Sequence, residues 1–140
     1  MRSVDLLRRV CQRWRVPADC KELALLVAKE HGNIHRCLDL SPAATLRLLE
    51  RCDALRRPER FALALLACEC DARGRLGHAE QPYPQAAHLQ KALTAAQSVD
   101  AGAVLNAARL AQPEGKQGGD WAAEHIRAAR VAALTNALKT

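Results

Sequence analysis

A chain of 140 residues, 49% hydrophobic, is one domain in size and long enough to bury a core. No run approaches the roughly 18 consecutive apolar residues of a membrane span, and no apolar segment follows Arg2 and Asp5 as in a secretory signal. The net charge is +6, with thirteen Lys/Arg against eight Asp/Glu in residues 1–60 and eight against seven beyond. A basic first half suits a phosphate-rich partner, and it equally suits a solvated, arginine-rich helical surface.

Taken in chain order, the sequence reads as helix almost throughout, with abundant alanine and leucine. Ser3 can cap a first helix carrying Val4, Leu7, Val10, Cys11 and Trp14 on one side. Arg15-Val16-Pro17 breaks it, and Pro17 suits the first turn of a second helix with Leu23, Leu26, Val27 and Glu30 at helical spacing. Gly32-Asn33 predicts the end of that helix near His31, with loop over 33–40. Ser41-Pro42 reads as N-cap and first residue of a third helix bearing Leu46 and Leu49. Arg57-Pro58 opens a fourth through Phe61, Leu65, Leu66 and Cys68, and 74–83 is a polar loop. A fifth helix spans 84–98, with Leu89, Leu93 and Ala96 inward, and a short sixth covers 101–110. Residues 112–119 read as a flexible linker. Asp120 then caps an alanine-rich helix to about Leu138, which the pattern leaves loosely docked or awaiting a partner. No strand-like alternation and no internal repeat occur. The expected fold is all-α, an irregular helical bundle.

Six cysteines stand at 11, 20, 37, 52, 68 and 70, none as C-x-x-C. They read as reduced, mostly buried thiols of a cytoplasmic protein, with a zinc site as the sharper alternative.

The densest chemistry lies in Cys68–Gln85, CECDARGRLGHAEQPYPQ. Glu69, Asp71, Arg73 and Arg75 sit at fixed offsets, Gly74 and Gly77 follow the arginines, and Tyr83-Pro84-Gln85 closes the run. This resembles the E-x-D-x-R-G-R-x-G … Y-P-Q segment of bacterial multifunctional CCA proteins, tRNA nucleotidyltransferases that also carry an HD phosphohydrolase domain. Arg15-Val16-Pro17 with 25–35, LLVAKEHGNIH, is similar to the late part of that HD domain. The resemblance runs from about Arg2 to Leu110 and returns over 126–134. It implies that the chain is the C-terminal third of a larger enzyme. Residues 1–40 would be a truncated HD-like part, 41–111 a C-terminal helical region, 112–119 a linker and 120–140 the terminal helix.

That resemblance implies tRNA as partner, and magnesium and nickel as the parent enzyme's metals. It implies no cofactor for this chain alone. The family's His-Asp pair would lie upstream, and no His-Asp dipeptide occurs. His31 matches a histidine of the later motif and is the one candidate metal ligand; Gly32 stands where many relatives have aspartate. His35 matches a second histidine, but Gly32-Asn33 argues against one continuous helical face for the two, and carboxylate partners are lacking. The glycine-serine and D-x-D motifs of nucleotidyl transfer are also absent, as are G-x-S-x-G, a P-loop and G-x-G-x-x-G.

Arg73 and Arg75 could hold an RNA phosphate, or could form an ion-pair network that locks the turn at Gly74; Asp71 and Arg75 are at acid-to-base i,i+4 spacing. Arg56 and Arg57 are the first expected RNA contacts, with Arg127 and Arg130 as further cations. No aromatic motif of the RNA-recognition-motif kind is present, so base stacking of that kind is not expected. The expectation is a helical structural and tRNA-contacting module without catalysis of its own. The alternatives are a stand-alone interaction or oligomerisation protein, and a residual phosphohydrolase using His31. Loss of upstream helices would leave the Val4/Leu7/Cys11 and Leu23/Leu26/Val27 faces exposed and favour self-association.

Overall fold

The computed structural model describes residues 2–115 and 117–139. Among them are seven α-helices and one 3-10 turn, and no strand. They are α1 (Arg2–Trp14), α2 (Ala18–His35), the 3-10 turn (Cys37–Asp39), α3 (Pro42–Arg51), α4 (Pro58–Arg73), α5 (Pro84–Gln97), α6 (Ala101–Ala111) and α7 (Trp121–Ala137). The all-α bundle is as the sequence predicts.

Three helices begin at a proline, where the missing N–H would have had no intrahelical partner. Ser41 caps α3 as expected: its side chain accepts from the Ala44 N–H at 3.2 Å. Asp100 does the same for α6 through the Ala103 N–H at 3.0 Å. At the end of α3, Asp53 takes a positive φ of 53°, and the Ala54 N–H returns to the Leu49 carbonyl at 3.0 Å. That is a Schellman closure, in a position that aspartate tolerates.

Several expectations are corrected. The second helix does not stop at Gly32 but continues through Asn33 to His35. A mid-helix glycine costs about 1 kcal/mol against alanine, which burial of Ile34 outweighs, since full burial of such a side chain is worth roughly 1.5–3 kcal/mol. Asn33 adds a hydrogen bond from Nδ2 to the Glu30 carboxylate at 2.9 Å. The stretch 33–40 is therefore helix end and 3-10 turn, pinned by buried Cys37. Ser3 lies inside α1 rather than ahead of it. Asp120 stands at the start of α7, but its backbone is not extended and its side chain caps nothing. Leu66, and Val10 and Trp14 of α1, are exposed rather than inward.

The core joins α2 to α5 and α7 through residues such as Leu26, Ile34, Leu46, Leu49, Phe61 and Leu134. The terminal helix is not loose: α7 packs against α3, α5 and α6. Leu134 is fully buried there, and Arg127 donates to Glu50 of α3 at 2.7 Å. One carboxylate is buried in the bundle, Glu30 at 3% exposure. It accepts from Arg51 Nε at 3.0 Å as well as from Asn33, so its oxygens are satisfied. All six cysteines are free thiols, four buried and two exposed. Burial pushes Cys37 and Cys52 up to about 12 and Cys68 up to about 11.

Candidate functional site

The end of α2, the end of α4, the 74–83 loop and the start of α5 meet at one cleft. His35 is its hub. Its Nε2 donates to Asp71 of α4 at 2.9 Å, and its Nδ1 accepts the Tyr83 hydroxyl at 2.7 Å. The His35 carbonyl accepts from Gln85 Nε2 at 3.1 Å. Both ring nitrogens are thereby committed. The hydrogen bond from His35 is the main reason the Asp71 carboxyl sits below the usual carboxylate range. Burial pushes the Tyr83 phenol upward, so it keeps the proton that it donates.

The loop is anchored a second time by Arg73. Its guanidinium meets Glu69 one turn back at 3.1 Å, and its Nε donates to the Ala79 carbonyl at 3.0 Å. Gly74 follows because a Cβ there would lie 2.9 Å from the Cys70 carbonyl oxygen. Gly77 has φ +82°, and the His78 N–H bonds the Arg75 carbonyl at 2.9 Å around it. That places glycine where a type II turn demands it.

The result is a cleft of about 390 Å³ lined by His35, Arg73, Arg75, His78, Tyr83 and Gln85 among others. No carboxylate lines it. The nearby acids Glu69 and Asp71 are bonded to Arg73 and His35, and act on those side chains from behind.

The residues singled out from the sequence fare differently. Arg73 and Arg75 do come together at this cleft, Arg73 within the network and Arg75 with no side-chain hydrogen bond or ion pair among the described residues. The expected Asp71–Arg75 pair is not formed as a hydrogen bond, because Asp71 turns to His35. Arg56 and Arg57 lie apart from it. Arg56 Nε donates to Asp53 at 2.9 Å, holding that carboxyl below its ordinary range, and Arg57 donates to Glu22 at 2.9 Å. Arg127 is paired with Glu50, while the Nε of Arg130 is buried without a hydrogen-bond partner among the described residues.

The donors for a metal do not assemble. His31 is exposed and its Nδ1 donates to the Val27 carbonyl at 2.9 Å, which leaves Nε2 as its open nitrogen. The rings of His31 and His35 stand 6.0 Å apart on one continuous helix, but His35 has no free nitrogen. Among the described residues no group of three or more His, Cys, Asp or Glu could hold a metal ion. The donors among the described residues thus do not fit a magnesium or nickel ion.

Sequence reading weighed His35 only as a second metal-site histidine beside His31, took Tyr83 only as a motif letter, and passed over His78. Their signal was the Tyr83-Pro84-Gln85 run itself; its partner lay 48 residues away and no local spacing could reveal it.

A second concavity of about 750 Å³ lies between α1, α2 and α4, lined by apolar side chains including Leu6, Leu7, Val10, Leu23, Val27 and Ala67. The expected exposure is met in part: Leu7, Leu23 and Val27 are half-buried and line this groove. Val4, Cys11 and Leu26 are buried, while Leu6 (56%), Trp14 (73%) and Leu66 (56%) stand in solvent. No helix among the described residues is long and apolar enough to cross a membrane.

No family model matches the sequence, and no solved structure matches it. Curated relatives do. A multifunctional CCA protein of Paracidovorax citrulli is 59% identical over 129 residues, covering 92% of this chain and 30% of that protein. One from Cupriavidus metallidurans is 66% identical over 106 residues, 76% of this chain and 26% of that protein. One from Cupriavidus pinatubonensis is 56% identical over 138 residues, 99% of this chain and 32% of that protein. The chain spans about a third of the length of these relatives. The family that its acid-arginine and Tyr-Pro-Gln motifs resemble is therefore the one it matches: over nearly all of its length, the chain is similar to one stretch of the multifunctional CCA proteins.

Proposed function

We propose that the chain is the C-terminal helical part of a tRNA CCA-adding nucleotidyltransferase with an HD phosphohydrolase domain. It serves tRNA 3′-end processing and repair in the cytoplasm as a structural and tRNA-contacting module, without catalysis of its own. The observation that carries this reading is the identity across nearly the whole chain with multifunctional CCA proteins. The sequence holds neither a D-x-D pair nor a His-Asp dipeptide. Magnesium and nickel belong to the proposed whole enzyme, and His31 could offer it one imidazole nitrogen.

The candidate contacts to tRNA are Arg56, Arg57, Arg73 and Arg75. Contact would be electrostatic and sequence-tolerant, since the chain has arginines but few aromatics to read bases. Binding of labelled tRNA across a salt series tests the reading. Affinity should fall steeply with salt, and each lost phosphate contact should flatten the slope by about one. The same preparation should neither add CTP or ATP to tRNA nor hydrolyse phosphomonoesters with nickel or magnesium. Turnover that disappears in His31→Ala would replace this reading with a residual phosphohydrolase.

A second reading is favoured by one observation, the exposed leucines and tryptophan on α1 and α4. It makes the chain a helical interaction or oligomerisation module. Absence of tRNA binding even at low salt would give that reading the lead.

A further inference from the structure

We propose that the cleft at the 74–83 loop is a binding site for a nucleoside phosphate, with the phosphate on Arg75 and His78 and the nucleoside against the Pro82–Tyr83 wall. The inference deepens the tRNA-contacting reading and rests on it for the physiological source of the ligand.

Charge selects the ligand's sign. The side chains lining the cleft that can carry charge near neutral pH are two arginines and two histidines; Tyr83 keeps its phenolic proton, and no carboxylate is among them. Glu80, the loop's one carboxylate, is exposed and lines no part of it. Glu69 and Asp71 each give one carboxylate oxygen to Arg73 and His35, and Asp71 attracts Arg75 electrostatically without lining the cleft. The guanidinium of Arg75 and the imidazole of His78 make no hydrogen bond among the described residues, and the Gly77 turn, closed by the His78 N–H on the Arg75 carbonyl, brings the two residues back to one side of the loop. A guanidinium with open donors and an adjacent imidazole suit a phosphate's oxygens.

Size selects the rest. About 390 Å³ is far more than the roughly 30 Å³ share of one water and lies within the usual range of small-ligand pockets, roughly 300–1,000 Å³. A bare phosphate would leave most of it empty. The remaining wall is the apolar and amide surface of Ala72, Pro82, Tyr83 and Gln85, which suits a sugar and base. The wall is also preorganised. Tyr83 is hydrogen-bonded to His35 and stands edge-on to its ring at 5.8 Å, so it cannot swing into the cavity without breaking that bond.

The source of the phosphate ester is either a nucleotide of tRNA or a free mononucleotide, and the test separates them. CMP, AMP and inorganic phosphate are titrated into the isotope-labelled chain at low salt, with imidazole and arginine side-chain resonances followed by NMR. CMP or AMP should shift His78 and Arg75 and bind more tightly than phosphate. Arg75→Ala and His78→Gln should each weaken nucleotide binding by about tenfold, as for loss of one charged hydrogen bond. Their circular dichroism should match the parent chain. Nucleotide that perturbs neither residue, or binds both variants as well as the parent, overturns the site. tRNA is then titrated with and without CMP. Competition places an RNA nucleotide in the cleft. Nucleotide binding without any tRNA binding keeps the site, makes the free mononucleotide its ligand, and removes the tRNA reading. tRNA binding that ignores CMP and Arg75→Ala leaves that reading standing and removes this cleft from it.

Discussion

At the scale of single residues, the site is organised by who satisfies whom. Asp71 reaches His35 across 36 residues of sequence, and His35 reaches Tyr83 across 48. The Asp71 carboxyl is held low chiefly by the His35 hydrogen bond. Its folded value lies below its unfolded one. The stabilisation is therefore present above the ordinary carboxylate range and is lost as pH falls through the folded value. In a carboxyl-detected NMR titration, Asp71 should titrate below the other exposed aspartates, Asp53 excepted, and His35→Ala should raise its midpoint. An unchanged midpoint would mean that the hydrogen bond is not what holds it. Thr45 gives a second test. It is fully buried, and its hydroxyl finds no hydrogen-bond partner among the described residues. An unsatisfied buried hydroxyl costs roughly 1–3 kcal/mol in proteins. Thr45→Val should thus raise stability by about 1 kcal/mol in urea denaturation, against the usual direction of core substitutions. A loss of stability would reveal a partner for that oxygen.

At the scale of elements, the helix boundaries show what was legible in the sequence. Ser41-Pro42, Pro58 and Pro84 mark real starts, because a cap side chain or a missing N–H acts locally and local spacing reports it. Gly32-Asn33 misleads for the opposite reason. Its stop signal is local, but the burial of Ile34 and the Glu30–Asn33 bond that carry α2 onward depend on Arg51 and the core. The cleft is legible in part. The glycines and arginines of its loop stand out in sequence, whereas His35 as hub and His78 as a lining group appear only when α2 and α4 pack. The same logic identifies the loop's weak point. Gly77 at φ +82° is in the left-handed region, where a Cβ costs roughly 1–2 kcal/mol. Gly77→Ala should loosen the 75–78 turn, with faster amide exchange at His78 and little change at α3. The terminal helix is tested through Leu134. Its truncation to alanine should cost about 2–5 kcal/mol and expose α7 to protease before the remaining helices.

At the scale of the whole molecule, the charge and the apolar surface tell different stories. Net charge is +6, yet much of the basic excess that the sequence places in residues 1–60 is occupied: Arg51 by Glu30, Arg56 by Asp53, Arg57 by Glu22. A phosphate at Arg56 or Arg57 would have to displace a directly paired carboxylate, whereas one at Arg75 would meet only the longer-range attraction of Asp71. Apolar surface, by contrast, is left open. Leu6, Val10 and Trp14 on α1 and Leu63 and Leu66 on α4 stand in solvent, and Leu6 and Val10 also line the groove of about 750 Å³ between α1, α2 and α4. Single exposed leucines are ordinary, but several on two helices flanking one groove make a surface that water covers poorly. In isolation at high concentration the chain should bury it by self-association. Sedimentation velocity should show a weight-average coefficient that rises with concentration, and a hydrophobic dye should bind the dilute chain. Leu6→Ser with Leu66→Ser should return the molecule to a monomer while leaving circular dichroism unchanged, because neither side chain belongs to the core. The two substitutions should also leave nucleotide and tRNA binding intact, since they line no part of the cleft at the 74–83 loop. A parent chain that stays monomeric and dye-silent at every concentration would remove the support for an oligomerisation module.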